Sequence, residues 1–398
     1  MNAKRTALRA RRVASVTALL ILPLLGAGCA SSALTTARTQ YYQGQFDASA
    51  TNLAELPGND TDRVLVLMER GTINQTRANY ADSIEDWLRA KALADELDIK
   101  SVSRETTSML VNDNVLAYCG APYERVLLHA FASQSFMALG LWQDAAVEGR
   151  ALIRRVENRG DYPDDPYSRY VAGFSLELMR DWDGAAFQYR QASEIESFCT
   201  IDPKSGKLGP PPANTNATAD GVELASAAET TKGDGELICL VSIGHGPTVR
   251  GYSGSNLRWG DRPYAEIYAG DRYLGRSYIL SRTDSLHAAT QKVLATRKTI
   301  KTTTRIALKE TAAQLAATQD DALGDLVRLL LFALEVPDDR RWETLPQWLA
   351  VARVPCPANL ASYRIVLKGN NGTVVEERTV TAPLARRDKT FVSIIRAL

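Results

Sequence analysis

The sequence predicts a mixed fold, in which an all-α array of helix-turn-helix repeats is followed by an α+β domain. Three observations support this prediction. In the first half of the chain, small residues flank an aromatic residue at a fixed spacing four times, as closely packed helix pairs require. A stretch rich in Pro, Asn, Thr and Gly within residues 200–235 then interrupts the apolar pattern. Beyond it, short apolar runs rich in β-forming residues replace the helical period.

Residues 1–28 have the organisation of a signal peptide. Basic residues precede an apolar run, Val13 to Leu25, which is too short to span a bilayer comfortably. The run ends in Leu25-Gly26-Ala27-Gly28-Cys29, which resembles the lipobox of bacterial lipoproteins, where the signal is cut before a lipidated cysteine. We therefore expect lipid attachment at Cys29. An ordinary cleaved secretory signal is the alternative.

The residues after Cys29 indicate to which membrane the lipoprotein would be sorted. Ala-Ser-Ser at positions 30–32 lacks the aspartate that commonly retains such lipoproteins in the inner membrane. The resemblance therefore implies a periplasmic protein anchored to the outer membrane through its lipid. Without the five basic residues of the signal, the net charge changes from +1 to −4. This mild acidity argues against nucleic acid as a partner.

The remaining cysteines do not predict a metal site, because they form no Cys-x-x-Cys motif and no Cys/His cluster. They are Cys119, Cys199, Cys239 and Cys356. An oxidising periplasm permits disulfides, and the sequence does not choose among the possible pairings. For Cys239 and Cys356, which lie in apolar runs, a buried free thiol is the favoured interpretation.

Within the helical domain, residues 29–199, four aromatic residues share one local context: Phe46, Tyr80, Trp142 and Trp182. A small residue lies three positions after each of them (Ser49, Ser83, Ala145, Ala185) and another nine positions before it (Ala37, Gly71, Ser133, Gly173). Phe46 and Tyr80 are 34 residues apart, which is the length of a tetratricopeptide unit.

The segment Gly140-Leu141-Trp142-Gln143-Asp144-Ala145 also resembles the turn-and-helix signature of tetratricopeptide units. The resemblance implies a tetratricopeptide-like array whose aromatic residues hold helix pairs together. The alternative is an ordinary amphipathic bundle, which also shows such spacings.

Further elements follow from periodicity. Helices are predicted over residues 102–118, 122–140, 284–318 and 322–336, and strands over 237–243, 264–268, 273–280, 363–367, 374–380 and 390–395. The linker or long loop is assigned to residues 200–235 and the α+β domain to 236–398. His129, on the apolar side of its helix, is predicted to be a packed or partly exposed histidine and not a catalytic one, since no acid partner is evident nearby.

Three segments together resemble an uncharacterised family of bacterial lipoproteins with N-terminal tetratricopeptide-like repeats. They are Asn112 to Val115 with Tyr118 and Gly120 to Arg125; Gly244-His245-Gly246-Pro247; and the segment containing Asp338, Arg340, Trp342, Leu345 and Pro346. That family has no assigned catalytic activity. Its genes often neighbour that of the lipoprotein activator of penicillin-binding proteins, which implies envelope or peptidoglycan work.

No catalytic residue and no cofactor are predicted. His245 lies in a glycine-rich turn, but no motif places a carboxylate or nucleophile beside it. Gly244-x-Gly246 lacks the third glycine and the lysine of a phosphate-binding loop. Asp338, Arg340 and Trp342 are expected to brace the crossing from a helix to a strand.

The leading hypothesis is a non-catalytic periplasmic scaffold whose helical array offers a concave groove to a protein partner, with the peptidoglycan machinery among the candidates. One alternative is a protein that binds or acts on cell-wall glycan, with a site between Gly244 and Trp259. Another is a subunit of a larger envelope complex.

Overall fold

The computed structural model describes residues 28–55, 61–103, 117–158, 163–196, 198–211, 234–247, 256–294, 340–381 and 384–398. Helices fill the first half of these ranges and strands dominate the second, which confirms the predicted order of a helical region followed by an α+β region. The helices are α1 (Gly28–Tyr42), α2 (Phe46–Asn52), α3 (Arg63–Thr76), α4 (Tyr80–Ser103), α5 (Pro122–Ala138), α6 (Trp142–Asn158), α7 (Pro166–Leu178), α8 (Trp182–Ile195) and α9 (283–294).

The first eight helices form four hairpins, α1–α2, α3–α4, α5–α6 and α7–α8, and all four have the same turn. The residue two positions before each aromatic residue has a positive φ: 77° at Gly44, 59° at Ala78, 72° at Gly140 and 64° at Arg180. The following amide donates to the carbonyl five positions earlier, as in Gln45 to Gln40 and Leu141 to Phe136. This is the hydrogen bonding of a Schellman motif, which ends the first helix of each pair.

The small residues lie where the paired helices touch, as the sequence predicts. Ser49 Oγ donates to the Ala37 carbonyl at 2.7 Å, and Ser133 Oγ donates to the Ala145 carbonyl at 2.9 Å. A Cβ at Gly71 would come within 2.2 Å of the Trp87 side chain. The helices of a pair therefore approach more closely than larger side chains would permit.

The four aromatic residues contribute unequally to these pairs. Phe46, Tyr80 and Trp142 are half-buried, whereas Trp182 is 61% exposed. The expectation that Trp182 holds its helix pair together is therefore wrong. Tyr189, seven positions later and fully buried, fills the space between α7 and α8 instead, with its ring 5.1 Å from that of Tyr170.

Two sheets follow the helices. Their strands are β3 (Gly235–Ile243), β4 (Tyr264–Ala269), β5 (Arg272–Arg276), β6 (Tyr278–Arg282), β7 (Trp348–Cys356), β8 (Ser362–Lys368), β9 (Val374–Thr381), β10 (Ala385–Arg387) and β11 (Thr390–Ala397). The five-stranded sheet has the order β10-β11-β3-β7-β6, in which β11 and β3 are parallel, and the antiparallel four-stranded sheet has the order β5-β4-β8-β9. A small hairpin, β1 (Thr200–Ile201) and β2 (Leu208–Gly209), precedes them within the predicted linker.

Strand β3 is buried on both faces, which explains its continuous apolar sequence. Leu237 and Val241 pack toward the four-stranded sheet, whereas Ile238 and Leu240 pack toward the helices. The helices, the five-stranded sheet and the four-stranded sheet therefore form three layers. Because helix residues such as Phe131 share a core with Ile238, residues 200–235 separate two kinds of secondary structure but not two independent cores.

Several predictions concern residues outside the described ranges. They include most of the helices predicted over 102–118 and 284–318, and all of the helix predicted over 322–336. Of the second, residues 283–294 are helical, as α9. Over the described part of the chain, no helix is long and apolar enough to cross a membrane.

Candidate functional site

Residues 340–344, called here the docked segment, enter the helical array and are held there through their main chain. The amide of Trp342 donates to Glu124 Oε1 at 2.8 Å, and the amide of Glu343 donates to Glu69 Oε1 at 2.9 Å. The amide of Thr344 donates to Glu69 Oε2 at 3.1 Å. Two carboxylates thus bind three consecutive amides, which is a way of recognising a polypeptide independently of most of its side chains.

The carbonyl groups of the docked segment are also bound. Arg38 Nη2 donates to the Arg341 carbonyl at 2.7 Å, and the Tyr42 hydroxyl donates to the Glu343 carbonyl. At one end of the segment, Arg340 Nη1 donates to Asp62 Oδ1 at 2.9 Å. Helices α1, α3 and α5 supply these groups together with the residues that precede α3.

Trp342 is the side chain that anchors the docked segment. It is fully buried, and its Nε1 donates to Thr72 Oγ1 at 2.8 Å. Its ring lies 6.4 Å from that of Trp87 and 5.8 Å from that of Phe131, centroid to centroid. Trp342 therefore fills a pocket between α3, α4 and α5 with its polar atom satisfied, as buried tryptophans require.

Both carboxylates of this site have no exposed surface. Glu69 is paired with Arg38, whose Nε lies 2.8 Å from Oε1. Burial raises the pKa of Glu124, against the opposing effect of hydrogen bonds from the Tyr118 hydroxyl and from the amides of Trp342 and Ala121. Their hydrogen bonds go to protein groups, so both carboxylates serve recognition and are not open to a solvent-borne substrate.

The docked segment corrects two expectations. Arg340 and Trp342 do brace a junction, but it joins the helical array to strand β7 and not simply a helix to a strand. The hypothesis left the face of the helical array to a partner, but the part of that face lined by Glu69 and Glu124 is filled by the chain itself. Asp338 lies outside the described residues.

The motif Gly244-His245-Gly246-Pro247 packs against the residues that follow the docked segment. The amide of Gly246 donates to the Leu345 carbonyl at 2.9 Å, and Thr283 Oγ1 donates to the Pro346 carbonyl at 2.7 Å. A Cβ at Gly246 would lie within 2.2 Å of Thr283 Oγ1, and the peptide bond to Pro247 is cis. Gly246 therefore serves a close contact with the backbone that follows the docked segment, because a Cβ there would also lie 2.7 Å from the Pro346 carbonyl oxygen.

The motif residues thus meet in space although they are far apart in sequence. Tyr118 and Glu124 contact the docked segment, Gly246 contacts Leu345, and Gly244 has a φ of 72° beside Trp348. Residues 112–115 of the first motif lie outside the described ranges. The motifs mark a structural junction, and the sequence alone could flag them without showing that they are neighbours.

His245 is a packing residue at this junction. Its ring stacks on that of Tyr42 with centroids 3.8 Å apart. Burial, together with the charges of Arg396 and Arg258, lowers the pKa of His245 to about 3. Its Nδ1 is buried and has no hydrogen-bond partner among the described residues. The ring therefore packs against Tyr42, and among the described residues no carboxylate is hydrogen-bonded to it as a catalytic base would require.

An open cleft of about 620 Å³ lies beside the docked segment. The turns of the first two hairpins form one wall, with the rings of Tyr42, Phe46 and Tyr80. Strands β9 to β11 form the other wall, and the cleft carries three arginines, Arg258, Arg378 and Arg396, and one acidic side chain, Glu376. We call it the arginine cleft; its size is typical of ligand sites.

His129 does have an acid partner, contrary to the sequence expectation. Its Nδ1 lies 2.7 Å from Glu148 Oε2, and Arg155 Nε donates to its Nε2 at 3.3 Å. Burial lowers the pKa of His129, although Glu148 opposes that effect. The group is buried between α5 and α6 with both ring nitrogens engaged, so its role is structural. The partner lies on the neighbouring helix, where local sequence does not reveal it.

The other predicted residues give no second site. Trp259 is fully buried, so its ring offers no face to a glycan. Cys119, Cys199, Cys239 and Cys356 are free thiols, and burial raises the pKa of Cys239 to about 12. Within the described ranges, no group of three or more His, Cys, Asp and Glu side chains is arranged to hold a metal ion.

No protein-family model matches the chain, and no curated protein matches it.

Proposed function

We propose that the chain is a non-catalytic scaffold of the bacterial cell envelope, anchored by a lipid on Cys29 to the outer membrane and facing the periplasm. The observation that carries the proposal is the docked segment. The helical array holds it with Glu69, Glu124 and Arg38 directed at its main chain, which is how a scaffold binds a peptide. Its partners are proteins, with the peptidoglycan machinery among the candidates.

The array is tetratricopeptide-like in this proposal. Four hairpins with the same Schellman turn, and small residues at the same positions within each pair, support a repeated unit. Stacked helix pairs of this kind present a concave face to partners. In this chain one part of that face is filled internally, and the arginine cleft beside it is open.

The chemistry of the buried polar groups supports a non-catalytic role. Glu69 and Glu124 are engaged by main-chain amides, and His129 is held between Glu148 and Arg155. None of these groups faces the arginine cleft as part of its lining. A general acid or base needs both a suitable pKa and access to substrate.

The proposed anchor is Cys29, which falls in the first turn of α1 (Gly28–Tyr42). A helix that begins at the attachment point leaves little linker between lipid and body, so the array works close to the membrane surface. Cells fed an alkynyl fatty acid test the anchor. Labelling of the wild type and of Cys119→Ser, but not of Cys29→Ser, is expected, and labelling of Cys29→Ser contradicts it.

A photo-crosslinking amino acid at position 257 tests the scaffold function in cells. Leu257 is 77% exposed and adjacent to Arg258. We expect a discrete adduct that protease removes and that muramidase leaves intact. An adduct that muramidase removes favours glycan binding instead, and the absence of any reproducible adduct at position 257 and at Val147, another exposed residue, contradicts the scaffold function.

A further inference from the structure

The arginine cleft is the open continuation of the groove that holds the docked segment. Tyr42 donates its hydroxyl to the Glu343 carbonyl and also lines the cleft. Arg396 Nη2 donates to the Thr344 carbonyl at 3.4 Å and lines the cleft as well. These two residues therefore contact the docked segment and also line the cleft beside it.

Positive charge in the cleft is only partly compensated. The donors of Arg396 go to the Tyr41 hydroxyl at 3.0 Å and to main-chain carbonyls, such as that of Ala397 at 2.6 Å, and within the described residues none of these acceptors is a carboxylate. Arg258 is exposed and contacts the ring of Trp259, with its Cζ 5.2 Å from the centroid.

The third arginine of the cleft has one acidic partner. Arg378 Nη2 lies 2.8 Å from Glu376 Oε1, while its Nε is buried and has no hydrogen-bond partner among the described residues. Three cationic side chains thus face one anionic side chain in the lining. Guanidinium groups bind carboxylates with paired, directional hydrogen bonds, so this lining selects for carboxylates.

The apolar part of the cleft distinguishes a peptide from a small anion. Phe46, Tyr42 and Tyr80 form its wall on the helical side, and Val380 and Leu384 add apolar surface on the sheet side. A lone inorganic anion uses none of this surface. A peptide with an acidic side chain next to an apolar one can contact both the arginines and the apolar lining of the cleft, as anchor residues of interfaces do.

We infer that the arginine cleft binds an acidic peptide segment of a partner protein, with its carboxylates on the arginines and an apolar side chain against Tyr42 and Phe46. This inference rests on the proposed scaffold function, because it assigns the place where the partner docks. The positive potential of the cleft agrees with this inference: burial is the main cause that lowers the pKa of His245 to about 3, and the charges of Arg396 and Arg258 lower it further.

The test uses the purified full chain and a short, end-capped fluorescent peptide of alternating Glu and Leu. Fluorescence anisotropy measures the binding of the peptide to the chain. The same peptide with Gln in place of Glu is the control ligand. We expect the Glu peptide to bind about tenfold tighter or more than the Gln peptide, with an affinity that falls as salt is added. Equal affinities for the two peptides would overturn the inference.

Three variants locate the binding. Arg258→Glu should lower the affinity for the Glu peptide about five- to tenfold. Arg154→Glu changes an exposed arginine of α6 outside the cleft and should leave that affinity unchanged. Glu376→Gln removes the acidic side chain of the lining and should tighten binding about two- to fivefold, which a misfolded variant cannot do. Identical effects of Arg258→Glu and Arg154→Glu would overturn the inference, as would binding of inorganic phosphate alone with no binding of the peptide.

Crosslinking at position 257 separates this inference from the function on which it rests. Equal protein adducts from the wild type and from Arg258→Glu would leave the scaffold function standing and overturn the assignment of the cleft. Loss of the adduct in Arg258→Glu, with the Arg154→Glu adduct intact, supports both. No adduct from the wild type at position 257 or at position 147, together with tight binding of the Glu peptide in solution, would contradict the scaffold function alone.

Discussion

Glu69 and Glu124 have no exposed surface, and together they accept hydrogen bonds from the amides of three consecutive residues of the docked segment. A buried carboxylate that lost these partners would be strongly destabilising, because its desolvation would no longer be offset. Glu69 and Glu124 therefore need the amides of the docked segment as hydrogen-bond donors if they are to remain buried at low cost. At the scale of single residues, the position of residues 340–344 is set by the hydrogen bonds that the buried carboxylates accept as well as by the packing of Trp342.

Replacing Trp342 tests how much the anchor contributes. Trp342→Ala should lower the free energy of unfolding by about 3–5 kcal/mol, because it empties a closed pocket between three helices. Trp182→Ala is the matched control, and it should cost less than about 1 kcal/mol because that side chain is 61% exposed. Urea unfolding measures both, and similar losses in the two variants would contradict the assignment.

The pH dependence of stability should report His245. Its folded pKa of about 3 lies below the unfolded value of about 6.5, so the folded state binds fewer protons between these values. The stability present above about pH 6.5 is therefore lost as pH falls toward 3.

Because the ring is partly exposed, we expect the loss from His245 to be about 1 kcal/mol between about pH 7.5 and about pH 5, less than full burial would give. His245→Asn should show a flatter profile by that amount, with His129 unchanged in both proteins. Parallel profiles of the two proteins would contradict this origin.

At the scale of elements, the four hairpins depend on a left-handed residue in each turn. Gly44 and Gly140 adopt it without strain, whereas Ala78 and Arg180 adopt it at φ values of 59° and 64°. The sequence pattern found all four turns, because an aromatic residue followed by a small one fixes where the second helix begins. It did not require glycine, which is why the two non-glycine turns were also predicted.

Replacing Ala78 by glycine should stabilise the chain by about 0.5–1 kcal/mol, because glycine adopts the left-handed conformation at no steric cost. Ala92→Gly, at an exposed position in the interior of helix α4, should instead destabilise by about 1 kcal/mol. Thermal or urea unfolding compares them. The same sign for both substitutions would show that the turn is not strained.

Local patterns predicted elements well where a single element carries the signal. The continuous apolar run of β3 and the strands predicted over residues 363–367 and 374–380, which are β8 and β9, appear as predicted. Patterns failed to predict the position of a side chain where that position depends on contacts between residues distant in sequence. Trp342 stood out in sequence, but its partners Thr72 and Glu124 are more than 200 residues away, and their contact leaves no local period.

At the scale of the whole molecule, the helices and the five-stranded sheet share a core, and the docked segment ties the array to β7. Arg353 adds a further link, since its Nη2 lies 2.7 Å from Glu177 of α7 and 2.8 Å from Glu236 of β3. We therefore expect the two regions to unfold together. A scaffold built this way keeps its arginine cleft at a fixed geometry between array and sheet.

Amide hydrogen exchange of the docked segment tests the central claim most directly. In the full chain, followed by mass spectrometry, peptides covering residues 342–344 should exchange as slowly as those of the buried strand β3, because their amides are bound to buried carboxylates. The exposed turn between β4 and β5, at residues 270–271, serves as the fast reference in the same experiment. Exchange of residues 342–344 at the rate of that turn would show that the array does not hold its own segment and would contradict the account.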